Sequence, residues 1–409
     1  MTKLLEEQKT TVEHPEDIEK FDQRELAEDI AQVYQDQYVN YPFPIDNPSH
    51  VEEEWMPSNN EVYVVLTDSG TVTFKDDKED IVLDEPEVVG TGAIAYDHDE
   101  HTQELGRAGL KDGFVRPENR SFYSRLLEER IDKARENMKS QNHPAEITFT
   151  QPVLAHSATQ YHNGVRGFAA VGNSVKKYNE VFDPEVRASV GQMIDADSNF
   201  RNPSSDEEVF FNENLREMID YALDNLNQKR DNDLENLSRT LIGEQTQDYD
   251  LSDLIVKEEM YDRKESGEHG LGIASYKVST SNELEENGGN IEDWQSLENL
   301  KELGSILDVG INDEEIEYMN VKIDGNNPQA YDVSNELIEK GFAGEAFMPE
   351  MFRYNDGVSD QLSLQYFEGD VEATLFPEFY ELAERQPNLT TNSNSKDSKG
   401  NYETILGSA

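Results

Sequence analysis

The chain has 409 residues, with 87 acidic against 35 basic side chains, a formal charge of −52 and no cysteine. Such a field repels nucleic acid, so DNA and RNA are not expected partners. Without cysteine there is no disulfide framework, thiolate metal site or Cys nucleophile. Seventeen Phe, 18 Tyr and repeated apolar segments speak for a folded core under an acidic surface rather than for disorder.

Residues 1–14 are polar and are expected to fray. They lack the apolar core of a signal peptide, and no apolar run approaches membrane-spanning length. The expectation is a soluble, cytoplasmic protein with no membrane partner. From Pro15, apolar positions at Leu26, Ile30, Val33, Tyr34 and Tyr38 mark a helix. It ends at Tyr41-Pro-Phe-Pro44, because two prolines forbid its continuation. Glu61–Leu66 reads as a buried strand, Asp76–Glu87 as an acidic loop and Val88–Tyr96 as a second strand. Asp97-His-Asp-Glu-His101 falls in the hairpin that follows. It supplies no third ligand at a fixed spacing, so a solvated turn is expected there and no metal.

A strand bearing Glu104 then runs through Leu105–Leu110 into the polar turn Val115–Ser121. Phe122, Leu126, Leu127, Ile131 and Ala134 form one helical face after it. Asn119 or Ser121 caps that helix, and its first turn offers free N–H groups to an anion. Pro152–Ala155 reads as the end of an apolar strand, His156 opens a second helix, and Gly167-Phe168 turns into a strand over Ala169–Tyr178.

Pro117-Glu118-Asn119-Arg120 and the helix with Leu126-Leu127-Glu128 resemble the GNAT acyltransferase superfamily. There, a Glu-bearing strand leads into a loop of pattern Pro-Glu-x-Arg-Gly-x-Gly, and the next helix opens on the pyrophosphate of acetyl-CoA. The spacing from His156 to Gly167-Phe168 also follows that superfamily, in which an Asn opens the last helix. This chain lacks the loop glycines, with Ser121-Phe122-Tyr123 after Arg120. The resemblance covers roughly residues 25–182 and rests on the order of elements.

The resemblance implies acetyl-CoA or another acyl-CoA as co-substrate and an amine, small or peptide-borne, as acceptor. The phosphate seat would be the backbone amides of Asn119, Arg120, Ser121, Phe122 and Tyr123, with Arg120 or Arg125 supplying positive charge. Glu104 would be the base, directly or through water. His156 would act as acid or base, or simply cap its helix. The superfamily's Tyr acid falls at Asn163 here, which leaves Tyr123, Tyr161 and His162 as substitutes. Tyr41–Pro44 resembles the amine-side wall of some members. The acidic composition resembles that of cytoplasmic proteins of salt-loving archaea. At molar salt the screening length is about 3 Å, so anionic CoA is not repelled.

Beyond this region, Phe182-Asp-Pro-Glu185 reads as a helix start. Residues 205–242 read as a polar helix with Phe211, Leu215, Ile219, Leu223 and Leu226 on one face. Leu251–Tyr261 and Gly270–Val278 read as a hairpin, Glu283–Asn290 as loop and Trp294–Leu303 as a short helix. Ile316–Ile323 alternates as a strand, Asn327-Pro-Gln-Ala opens a helix closed by Gly341-Phe342, and strands over Ala343–Met348 and Asp360–Phe367 follow. This segment shares helix, Gly-Phe turn and strand with the first, and resembles part of a second GNAT-like domain.

The expected fold is therefore α/β: a GNAT-like mixed sheet flanked by helices, with a second, partial GNAT-like α/β domain. The expected boundaries are a GNAT-like domain at 15–182, a helical bridge at 183–248, an α/β domain at 249–385, and disordered ends at 1–14 and 386–409. The expected activity is acyl-CoA-dependent N-acyl transfer. The alternative is a catalytically degenerate scaffold for ligand sensing or protein interaction.

Overall fold

The computed structural model describes residues 10–13, 23–37, 47–55, 61–67, 70–72, 81–83, 87–97, 101–110, 120–139, 145–152, 154, 158–183, 186–244, 251–264, 270–286, 290–354, 357–375, 377–396 and 402–408. The chain forms two compact units, residues 1–148 with 181–184, and residues 149–180 with 185–409.

The first unit contains β1 (Thr10–Glu13), α1 (Gln23–Gln37), the short α2 (Pro48–His50), β2 (Glu61–Thr67), β3 (Gly70–Val72), β4 (Ile81–Leu83), β5 (Glu87–Asp97), β6 (Thr102–Leu110) and α3 (Arg120–Lys139). The start of β7 (Ile147–Thr150) also belongs to it. β1, β2, β5 and β6 pair antiparallel in that order. α1 and α3 pack on β5 and β6. α1 buries Leu26, Ala27, Ile30, Ala31, Val33 and Tyr34, the stripe that its periodicity requires. Tyr38 and Tyr41–Pro44 lie outside the described residues.

The second unit takes the end of β7, then α4 (Ala158–Val165), most of β8 (Phe168–Asp183), β9 (Val186–Asp195), β10 (Ser204–Phe210), α5 (Arg216–Lys229) and β11 (Ser238–Ile242). It continues with β12 (Leu254–Asp262), β13 (Ile273–Thr280), α6 (Ser281–Glu286), β14 (Gln295–Ser296), α7 (Leu300–Ile311) and β15 (Tyr318–Asp324). α8 (Ala330–Glu339), β16 (Ala343–Arg353), β17 (Val358–Phe367), β18 (Asp370–Leu375), α9 (Pro377–Ala383), β19 (Leu389–Lys396) and β20 (Tyr402–Ser408) complete it. Its main sheet runs β7-β9-β8-β16-β17-β15-β13-β12-β14. Within it β13 and β15 are parallel, as a crossover through α7 demands, and β17 lies antiparallel between β15 and β16. The chain is thus a mixed α/β protein built on a large mixed sheet flanked by helices.

A buried ion pair ties β11 to the β16–β17 hairpin. Arg239 donates to both carboxylate oxygens of Asp360, at 2.5 and 3.2 Å. The Glu350 carboxylate, at a bulge with φ 55°, accepts from the backbone N–H groups of Arg201 and Asn202, each at 2.6 Å. Every buried charge here has several hydrogen bonds, the condition under which burial is tolerated.

Several sequence expectations are corrected. Phe182–Glu185 does not start a helix: β8 runs to Asp183 and β9 begins at Val186. Residues 205–242 are helical only over 213–229, although Phe211, Leu215, Ile219, Leu223 and Leu226 are all buried as expected. α6 replaces part of the expected loop at 283–290, and Trp294 precedes α7 rather than opening it. Thr10–Glu13 and two segments of the tail are strands, their backbone groups paired in antiparallel ladders.

Candidate functional site

Glu104 lies on β6 opposite Ala95 of β5, and its side chain is half-buried. The described part of α3 begins at Arg120, the last residue of the Pro117–Arg120 motif. Arg120, Ser121, Phe122, Tyr123 and Arg125 occupy its first two turns, but their side chains, like Asn119 and His156 entirely, lie outside the described residues. Tyr161 and His162 are on α4, where Tyr161 is exposed, and Asn163 is buried. The expected strand over Pro152–Ala155 is corrected: β7 ends at Thr150, after which Pro152 O and Leu154 N still bond to Gly191 and Ser189 beside it.

What holds α3 in place is described. Arg130 is buried and donates to the backbone oxygens of Gly106 (2.5 Å) and Ala93 (3.3 Å), clamping the helix to β6 and β5. Gly92 makes this close approach possible: a Cβ there would lie 3.1 Å from Arg130 Cδ. Gln103 donates to Ala134 O of α3 (2.9 Å) and to Thr148 Oγ1 of β7 (2.7 Å), so one amide ties helix and strands together. Asn137 also bonds Tyr96.

The carboxyl ends of the parallel pair in the second unit carry a polar cluster that sequence reasoning missed. In open α/β sheets such ends are where ligands bind. Here Asp324, buried, accepts from Tyr354, from Ser359, from the Asn326 N–H (3.1 Å) and from Ser279 (3.4 Å). Tyr354 Oη and Ser279 Oγ are 2.7 Å apart, and Asn327 Nδ2 donates to Thr280 Oγ1 at 2.8 Å. These bonds bridge the last residues of β13 and β15. Tyr354 is packed beside Phe352 in a cluster with Ile255, Leu284 and Trp294. Burial pushes the Asp324 carboxyl above its ordinary value, against the four donors that favour its charge. Burial, then the Asp324 charge, raises the Tyr354 hydroxyl.

One turn of strand earlier, Glu259 of β12 reaches Lys277 of β13 (3.3 Å) and Lys322 of β15 (2.7 Å). Burial alone would raise its carboxyl, but the two lysines outweigh burial and hold it down at about 2. β13 runs directly into α6, β14 follows, and α7 opens on its own cap, with Asn299 Oδ1 accepting from Lys301 N at 3.0 Å. Among the described residues no group of three or more His, Asp or Glu is placed to hold a metal, and no helix is long and apolar enough to cross a membrane.

No family model matches the chain, and no curated protein does. Solved structures that resemble it are GNAT acetyltransferases. A putative acetyltransferase of the GNAT family from Desulfovibrio desulfuricans is 12% identical, covering 46% of this chain and 98% of its own, at a TM-score of 0.28. Spermidine N-acetyltransferase from Vibrio cholerae, in complex with CoA and spermine, is 13% identical over 45% of this chain and 94% of its own, TM-score 0.30. The ribosomal-protein-S18-alanine N-acetyltransferase from Escherichia coli is 12% identical over 46% and 92%, TM-score 0.30. Scores of this size carry no functional weight, so function is read from the chain's own residues.

Proposed function

We propose that the first half of the chain transfers an acyl group, acetyl in the first instance, from CoA to an amine. The observation that carries this reading is α3: its described part begins at Arg120 of the Pro-Glu-x-Arg motif, and Arg130 fixes the helix to the strands that precede it. A helix N-terminus held this firmly is a suitable seat for a pyrophosphate. The amides of Asn119–Tyr123 would bind it, with Arg120 or Arg125 adding charge. Glu104 would take the proton from the attacking amine, directly or through water. His156 or Tyr123 would return a proton to the leaving thiolate as the C–N bond forms and the C–S bond breaks. Direct attack needs no enzyme nucleophile and so no cysteine. The acceptor is a small or peptide amine, and the acidic composition suits a cytoplasm at high salt.

For the second half, the bridged strand ends and the capped α7 favour the other reading: a scaffold that binds no acyl-CoA. The test is thermal unfolding with and without acetyl-CoA in about 3 M KCl, where surface charge is screened. A saturable rise in Tm, lost in an Arg120→Ala, Ser121→Pro variant, is expected. No shift at millimolar acetyl-CoA in folded protein sinks the transferase reading.

A further inference from the structure

The order β7-β9-β8-β16-β17-β15 reads the same from either end. In each half a strand (β7, β15) is followed by a helix (α4, α8) and then a hairpin (β8–β9, β16–β17). The second strand of that hairpin returns antiparallel beside the first strand of the half. The match extends to single bonds at a constant shift along the chain. Arg166 N bonds Asn163 O (3.0 Å), and Lys340 N bonds Leu337 O (3.1 Å). Gly167 N bonds Gly164 O (3.4 Å), and Gly341 N bonds Ile338 O (3.0 Å). Gly167 and Gly341 have φ of 97° and 91°, a conformation that disfavours any residue with a side chain, and each precedes a buried Phe, Phe168 or Phe342.

The two halves meet where β8 and β16 pair antiparallel, at one position: Gly172 opposite Ala346. By the same shift, Ala346 is the counterpart of Gly172. In an antiparallel pair related by a twofold axis, the residue on the axis faces its own counterpart. We infer that residues 147–195 and 318–367 are two copies of one module related by a local twofold axis through Gly172 and Ala346. The edge of β8 is thus an interface whose partner, a second copy of the module, is carried by the same chain. Of the two copies, the second is sealed by Asp324, Tyr354, Ser279 and Ser359.

The seam has the features of an interface completed by side chains. Away from the single pair, ladder bonds are replaced: Gln365 Oε1 accepts from Val175 N (2.8 Å), and its amide donates to Asn173 O (2.7 Å) and Gly344 O (3.3 Å). Gln386 donates to Glu345 O (2.6 Å) and accepts from Asn173 (3.0 Å), while Pro387 O accepts from Gly344 N (3.1 Å). Across the seam Ser174 donates to the buried Glu345 carboxylate at 2.5 Å.

The axis is tested by a double-mutant cycle on the full chain, read by denaturant midpoint. A methyl at Gly172 would overlap the Ala346 methyl and approach Glu345 O to 2.6 Å. Gly172→Ala is expected to lower the midpoint or prevent folding. Adding Ala346→Gly removes the methyl overlap but leaves Glu345 O at 2.6 Å and the Cα of residue 346 at 2.8 Å, so it is expected to recover part of the loss. A double variant no more stable than the two single losses summed shows that the residues do not face each other across the seam, which overturns the inference. The sealing, which rests on the proposed function, is tested by titration calorimetry with acetyl-CoA. One site per chain, abolished by Arg120→Ala with Ser121→Pro, supports it. Two sites, or one that survives those changes, overturns it. No binding at all leaves the second copy sealed and sinks the transferase reading instead.

Discussion

α3 and α7 hold the same place in the element order, each crossing from one strand to the next across a sheet, yet they are fixed by different chemistry. α3 is clamped by a guanidinium on two backbone oxygens and by the Gln103 and Asn137 amides. α7 is held by buried Leu303 and Leu307, and by Gly310, where an added Cβ would overlap the Met319 methyl. Apolar contact sets how near a helix lies, whereas hydrogen bonds also fix its rotation and slide. The half with the directional clamp is the one in which the proposed seat needs the helix N-terminus aimed. Arg130 acts about three turns from that end.

The largest effect expected from this contrast is in α7. Leu307→Ala should cost about 2–5 kcal/mol in urea unfolding, as for other fully buried leucines. A loss under about 1 kcal/mol would show that packing is not what holds the helix. Glu259→Gln comes next, and it carries a pH signature. The carboxyl is held near 2 in the folded chain and is ordinary when unfolded. Its contribution is therefore complete above about pH 5 and is lost as pH falls through the folded value. The variant should lose about 3 kcal/mol at pH 7 and almost nothing at pH 2. Gln103→Leu, which removes the uncharged tie between β6 and β7, should show a deficit flat over the same range. A parallel pH dependence of the two would erase the distinction.

Arg130→Met should cost about 1–3 kcal/mol, since it removes a buried donor from two carbonyls. It should also weaken the Tm rise with acetyl-CoA beyond its effect on the free protein. An unchanged rise would detach the clamp from the proposed seat. The smallest effect is Gly92→Ala, about 1 kcal/mol or less, because the Arg130 stem 3.1 Å from the new methyl has to shift by a few tenths of an ångström.

Much of this architecture is legible in the sequence where the local pattern is strong. The β-branched run of β2, the alternation of β15, the stripe of α1 and the two Gly-Phe turns each mark their elements. β9 was hidden by an Asp-Pro-Glu that mimics a helix start, although β8 runs to Asp183 and β9 begins at Val186. β19 was hidden by its Asn, Ser and Thr, since its bonds are made by backbone, and β20 by the polar stretch that precedes it. The sealing cluster had no local signal. Its members come from β13, β15 and the β16–β17 hairpin, and only Ser279-Thr280 and the Asp324-Gly-Asn-Asn turn keep any of them close in sequence.

The pair at Gly172 and Ala346 also bears on how this chain can vary. When two separate identical chains meet on such an axis, one codon writes both residues, and a methyl written there collides with itself. Joined in one gene, the two positions are spelled independently. Here one position carries a hydrogen and the other a methyl, a difference that a single shared codon could not write.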